Sequence, residues 1–181
     1  MKIILISGKS ASGKDQFGEY VKQILEQNDK KVLTIHFGDP VKFFLTKYYN
    51  WNGKKDAPGR ALLQHLGTDT VRKKYPTYWG EIIAKFISAT EADWDYVLIP
   101  DWRFVNEMKE IKKYNKNVLT VRINRLNEDG SFNVNPLFTE EQLNHISECE
   151  LDDFYCDWLI DNSGSLVDLA SQAINFVKEI M

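Results

Sequence analysis

The chain has 181 residues, enough for one domain of ordinary size with a proper core, and 43% of them are apolar against 27% charged, which excludes a disordered chain. No apolar run approaches the ~20 residues of a membrane span, and the opening "MKIILIS" is too short for a signal peptide and reads as a first strand. The net charge of -3 hides an asymmetry: residues 1–74 hold 14 Lys and Arg against 7 Asp and Glu, while the remainder is acidic, so the amino-terminal half suits a polyphosphate and the whole does not suit a dedicated nucleic-acid binder.

Residues 2–7, "KIILIS", form a continuous apolar run, as expected of a strand buried on both faces of a parallel sheet. "GKSASGKD" follows, and then Phe17, Val21, Ile24 and Leu25 recur at helical spacing. "KVLTIHF" (31–37) is a second strand, which completes a βαβ unit with a right-handed crossover. The middle is mostly helical: 38–49 with Pro40 near its start, 58–67 bracketed by Pro58 and Gly67, and 78–90. Strands are expected at 95–101, 117–123 and 157–164, and helices at 103–114 and 165–180. Residues 126–145 are long and polar for a plain connection, which points to a functional flap. The expected class is therefore α/β, a doubly wound, mainly parallel five-stranded sheet. A helical insertion (40–90) interrupts a core made of 1–39, 95–125 and 155–181.

The spacing Gly8, four residues, Gly13-Lys14 is that of a phosphate-cradling loop, and its placement between a buried strand and an amphipathic helix aims backbone N–H groups and a helix N-terminus at one spot. Lys14 would reach β- and γ-phosphates, and Lys9 adds charge within the loop. Where the familiar signature has Ser or Thr, this chain has Asp15, a hard oxygen ligand suited to Mg²⁺ and equally a first-turn acid that complements the helix dipole. Asp101 ends a buried strand, where a parallel sheet puts its ligand crevice, and an acid there can organise magnesium. Arg103 would face the same mouth, or pair with Asp101 as a helix cap. Lys42, Arg60, Gln64 and Arg72, with Trp79 behind them, could present a phosphate fork and an amide for a base edge, although solvated helix faces account for any one of them. Arg122 and Arg125 stand before the polar flap, and alternation points one of them into the site.

His145, Ser147 and Glu148 lack the nucleophile-elbow motif of a hydrolase, and Cys149 and Cys156 with His145 lack zinc-like spacing. Two cysteines without a framework fit a reduced, cytoplasmic protein.

The segments "SGKSASGKDQ", "RALLQHLGTDTVR", "DWRFVNE" and "HISECELDDFYCDWLIDNSG", in that order, resemble the deoxynucleoside monophosphate kinases of bacteriophages over about residues 3–170. That family's loop itself carries G-K-D, so Asp15 matches it. The resemblance implies a P-loop kinase fold with an acceptor-binding helical insertion and a lid near 126–145, moving the γ-phosphoryl of ATP to a deoxynucleoside monophosphate with Mg²⁺. By motif, Gly8, Lys9, Ser10, Ala11, Ser12, Gly13, Lys14 and Asp15 would hold ATP. Arg60, Gln64, Asp69 and Arg72 would line the monophosphate side, joined by Lys42 and Trp79. Asp101, Arg103, Asn106 and Glu107 would sit at the sheet's mouth, with Arg122 and Arg125 serving the lid. Catalysis would fall to Lys14, Arg103, Arg122 and Arg125, and Mg²⁺ to Asp15 and Asp101, directly or through water. Animal-type phosphomevalonate kinases are similar in layout and share ATP but not the acceptor; a nucleotide-binding module without catalysis is a third reading. The resemblance implies neither nucleic-acid nor membrane partners and is compatible with a homodimer.

Overall fold

A computed structural model describes residues 1–133 and 138–181. Strands β1 (Lys2–Ser7), β2 (Val32–Thr34), β3 (Tyr96–Ile99), β4 (Val118–Asn124) and β5 (Trp158–Asp161) form one sheet in the order β2-β3-β1-β4-β5, with every pairing parallel. The doubly wound sheet expected from the strand–helix alternation is thus what forms.

Alternation along β1 explains its unbroken apolar run. Ile4 and Ile6 enter a core with Phe17, Val21 and Leu25 of α1 (Lys14–Gln27) and Leu169, Ala173 and Phe176 of α8 (Leu166–Ile180). Ile3 and Leu5 enter the opposite core, with Ile83 and Ile87 of α4 (Tyr78–Ala89) and Ile111 of α5 (Val105–Tyr114). Both faces of the strand are covered, so no polar position interrupts it.

Between β2 and β3 the chain builds α2 (Asp39–Tyr48), α3 (Ala57–Gln64) and α4. Val41, Leu45, Trp51, Leu66 and Trp79 give these helices a small core of their own. Here the sequence expectation needs correction. The helix expected to stop at Gly67 runs on as a π-helical segment, His65–Arg72. Gly67 is a contact point instead of a stop: a Cβ there would lie 3.5 Å from Val41 of α2, and its carbonyl accepts the Trp79 indole N–H at 2.8 Å. The wide π turn keeps that carbonyl available, and such turns gather at functional sites.

Strand β2 is also shorter than expected, because residues 35–37 leave the sheet toward the cleft. The polar stretch after β4 holds an antiparallel bridge between Leu126 and Phe132 and the short helix α6 (Glu140–Leu143), capped by Thr139; α7 (Ile146–Cys149) comes next. Residues 134–137 of the expected lid lie outside the described residues. Cys149 and Cys156 are free thiols, and among the described residues no helix is long and apolar enough to cross a membrane.

Candidate active site

β1 ends at Ser7; its connection, α1, packs on one face of the sheet and that of its neighbour β3, α5, on the other, and the loop 8–13 lies at that switch point before α1 begins. Gly8 (φ 156°) and Gly13 (φ 90°) are required there: a Cβ on Gly8 would run into the Ser12 hydroxyl and the Ile123 carbonyl, and one on Gly13 into the Asn162 amide. Asn162, just past β5, donates to the Ser12 carbonyl at 2.8 Å and so ties the loop to the sheet. Ala11 also sits in the left-handed region (φ 67°), which costs a non-glycine residue about 1 kcal/mol.

The loop fits an anion. Ser12 Oγ is buried and, among the described residues, has no hydrogen-bond partner. Lys14, the first residue of α1, is 8% exposed, and its Nζ reaches the Lys9 carbonyl at 3.4 Å. Burial, aided by the charge of Arg103, pushes the Lys14 ammonium down to about 8, with Asp15, Glu148 and Asp101 resisting. A desolvated cation at the positive end of a helix is complementary to phosphate.

From the loop a cavity of about 390 Å³ opens toward the helical insertion. Ser10, Ala11, Lys14 and Asp15 form one end, and Lys42, Arg60, Gln64, Arg72 and Trp79 line the other, with Asp101, Arg103 and Glu107 between them. Gly8, Lys9, Ser12 and Gly13 do not line the cavity. Asp69 and Asn106 do not line it either; they border an adjoining cleft that shares Thr68, Arg72 and Phe104 with it.

Each charged group is held. Glu107, 2% exposed, accepts from Arg72 at 2.7 Å and from the backbone N–H groups of Arg103 and Phe104 at 3.0 and 3.1 Å. Burial pushes its carboxyl up to about 7 against the pull of Arg72 and those N–H donors, with Asp101 adding to the rise. The Arg72 guanidinium lies 3.8 Å from the centre of the Phe104 ring and donates to Asn106 at 3.3 Å. Arg60 donates to the Lys55 carbonyl and lies over the Phe138 ring at 4.6 Å. Asp101 lies two residues past β3 and accepts from the backbone N–H groups of Phe37 and Gly38, at 2.8 and 2.9 Å. That pins the start of α2, and Lys42 with it, at the cavity wall.

Two candidates from the lid strand part company. Arg122, 7% exposed on β4, pairs with Asp152 at 2.8 Å. Arg125 lies beyond the strand's end and is exposed; neither arginine lines the cavity.

Several site groups were not singled out by motif. His36 and Phe37 line the cavity, and hydrogen bonding to Asp39 raises the His36 imidazole's pKa against the opposing effect of burial. Glu148 accepts from the Ser10 N–H at 3.0 Å and pairs with Arg103. Lys9 donates to the Glu148 carbonyl at 2.8 Å and pairs with Asp152. The acidic stretch 148–153 finds its partners between 30 and 143 residues away in the chain. The neighbouring His145 ring caps α7, accepting from the Ser147 backbone N–H at 3.3 Å, and also meets the Ser147 hydroxyl at 2.8 Å.

The carboxylates constrain any metal. Asp15 and Asp101 face the cavity beside Lys14, yet among the described residues no cluster of three His, Cys, Asp or Glu side chains could hold an ion unaided. The pair fits a hard ion that takes its remaining ligands from phosphate oxygens and water.

Solved structures of similar architecture include the Mycobacterium tuberculosis APS kinase CysC in complex with AMPPNP and APS, 12% identical, with a TM-score of 0.52 and coverage of 98% of this chain and 97% of that one. A sugar kinase from Janibacter sp. HTCC2649 is 13% identical with a TM-score of 0.56, covering 98% and 95%. A gluconokinase from Sinorhizobium meliloti 1021 is 14% identical with a TM-score of 0.54, covering 99% and 93%. At such identities the likeness is one of fold. No curated protein matches by sequence. The family model for deoxynucleotide monophosphate kinase matches residues 51–173, more than half of the chain, which takes in α3, α4, Arg60, Arg72, Arg103 and Arg122 and leaves the phosphate loop and α2 outside it. The chain belongs to the deoxynucleotide monophosphate kinase family.

Proposed function

We propose that the chain transfers the γ-phosphoryl group of ATP to a deoxynucleoside monophosphate, giving the diphosphate. The observation that carries this reading is the continuity of one cavity, from the phosphate loop at Lys14, past Arg103, to the aromatic and basic wall of the helical insertion. A donor triphosphate fits the loop end, and a planar base with one phosphate fits the other. Residues 40–90 then form the acceptor-binding insertion, and residues 126–145 the lid.

Phosphoryl transfer needs positioning and charge more than covalent chemistry from the protein. Lys14 and the loop N–H groups hold the donor's β- and γ-phosphates. Arg72 and Arg60, with Lys42, clamp the acceptor phosphate, which is already an oxyanion at neutral pH and needs no general base. Arg103 stands between the two and offsets charge on the group in flight. Gln64 and Trp79 meet the base, and Arg122 braces the segment that closes on the loop. Mg²⁺, held by Asp15 and Asp101 directly or through water, would supply electrostatic neutralisation of the donor phosphates.

The test is a coupled assay for ADP with ATP, Mg²⁺ and each deoxynucleoside monophosphate in turn, with phosphomevalonate as a comparison acceptor. Turnover with at least one nucleotide is expected. Turnover with phosphomevalonate alone would move the acceptor assignment, and binding of ATP with no turnover at all would sink it.

A further inference from the structure

Glu148 is buried, 8% exposed, at one end of the cavity, in a helix of a single turn. One carboxylate oxygen accepts from the backbone N–H of Ser10 in the phosphate loop at 3.0 Å, and the other pairs with the guanidinium of Arg103. The same guanidinium nitrogen also donates to the Ser147 carbonyl at 2.8 Å, while Arg103's own backbone N–H is tied to Glu107 at 3.0 Å. Lys9 holds the Glu148 carbonyl from the other side, at 2.8 Å. Thus a single carboxylate joins the donor-side loop to the arginine in the middle of the cavity, across sequence separations of 138 and 45 residues.

The cost of this arrangement argues for a purpose. Burying a carboxylate is unfavourable unless its lone pairs are filled, and a free arginine side chain carries about 2 kcal/mol of rotamer entropy. The Glu148 contacts satisfy the first condition and remove the second before any ligand arrives. A cation fixed in advance beside the phosphate loop stabilises transferring charge without reorganisation at the moment of reaction.

We propose that Glu148 is a positioning residue for phosphoryl transfer, its carboxylate bridging the Ser10 amide and the Arg103 guanidinium so that the arginine stays aimed at the transferred group. This rests on the functional reading of Arg103 given above. The rival view is that Glu148 merely occupies a phosphate's place and must be expelled, and it gives the opposite sign on removal.

The experiment is a double-mutant cycle on the full chain: wild type, Glu148→Ala, Glu148→Gln, Arg103→Ala and Glu148→Ala/Arg103→Ala. It is read by kcat and both KM values, with thermal melts to check folding. Glu148→Ala should lower kcat by about 10²-fold with the KM for ATP changed less than about threefold. Glu148→Gln, which keeps an acceptor for Ser10, should recover at least about tenfold of that loss. The double variant should be no slower than Arg103→Ala alone, because the two act as one unit. Additive losses, a wild-type kcat in Glu148→Ala, or faster turnover with tighter ATP binding would overturn the proposal. Should Glu148→Ala not fold, the cycle is run with Glu148→Gln, where the same non-additivity is expected. Failure of wild type to phosphorylate any deoxynucleotide would count against the functional reading, not this one. The cycle is then read by acceptor-independent ATP hydrolysis, and additivity there overturns the positioning role.

Discussion

Arg72 and Glu107 form an ion pair at 2.7 Å with side chains only 11% and 2% exposed, joining the π-helical segment to the first turn of α5. The pair has a pH signature. Burial holds the Glu107 carboxyl up to about 7, against an ordinary value of 4.5. The folded state therefore binds a proton more tightly than the unfolded chain between those values, and stability falls as pH rises through that window, then levels off above 7. The shift corresponds to at most ~3 kcal/mol. Glu107→Gln removes this dependence. In urea melts the stability advantage of wild type over Glu107→Gln should shrink steadily from pH 5 to pH 7, and an advantage that grows with pH would refute the sign.

Lys14 shows the cost of burying a cation in an anion-binding loop. Its ammonium is buried, pushed down to about 8, and reaches the Lys9 carbonyl at 3.4 Å. Lys14→Met keeps the side chain's length and removes the desolvated charge. Without nucleotide the variant should melt a few °C higher than wild type, roughly the effect of 1 kcal/mol in a domain of this size, while turnover with ATP falls at least about 10³-fold. Calorimetry with and without ATP checks both, since only wild type should gain stability from the nucleotide.

Much of this architecture was legible in local signals. The unbroken run Lys2–Ser7 needed both faces buried, and the Gly8–Lys14 spacing needed a strand before it and a helix after; both hold. What local signals missed was tertiary in origin. Gly67 reads as a helix stop because glycine is a weak helix former, but the helical backbone continues through it, held in place by packing on Val41 and by the Trp79 indole bond to its carbonyl. The roles of Glu148 and Asp152 had no local signal, because the cations they hold, Lys9, Arg103 and Arg122, are distant in sequence. Arg125 follows Arg122 by three residues, but β4 ends at Asn124, so alternation no longer governs where it lies.

The Trp79 indole couples α4 to the π-helical segment and buries nearly all of its surface where the helical insertion lines the cavity. Trp79→Phe deletes the indole N–H and leaves the Gly67 carbonyl without its partner. Loss of that buried hydrogen bond should lower stability by about 1–2 kcal/mol. Under the proposed division of the cavity, the KM for the deoxynucleotide should rise about tenfold while the KM for ATP changes little. An equal rise in both would mean that this end of the cavity does not serve the acceptor alone.

The mirror-image prediction concerns Asn162. Its side chain is buried, donates to the Ser12 carbonyl at 2.8 Å, and fills the space beside Gly13 where any other residue's Cβ would fall. Asn162→Ala frees the loop without touching a residue that lines the cavity. Ser12 and Gly13 then sample conformations in which the backbone N–H groups no longer converge, so ATP binding weakens while the helical insertion is unaffected. The KM for ATP should rise about tenfold, the KM for the deoxynucleotide should stay within about twofold, and the melting temperature should fall by a few °C. Gly13→Ala, which puts a methyl group against the same amide at φ 90°, should be worse in every respect, because steric overlap and backbone strain add to the lost preorganisation. Steady-state kinetics with each substrate varied separately decide the matter: a rise confined to the deoxynucleotide's KM would mean that Asn162 acts on the acceptor end instead.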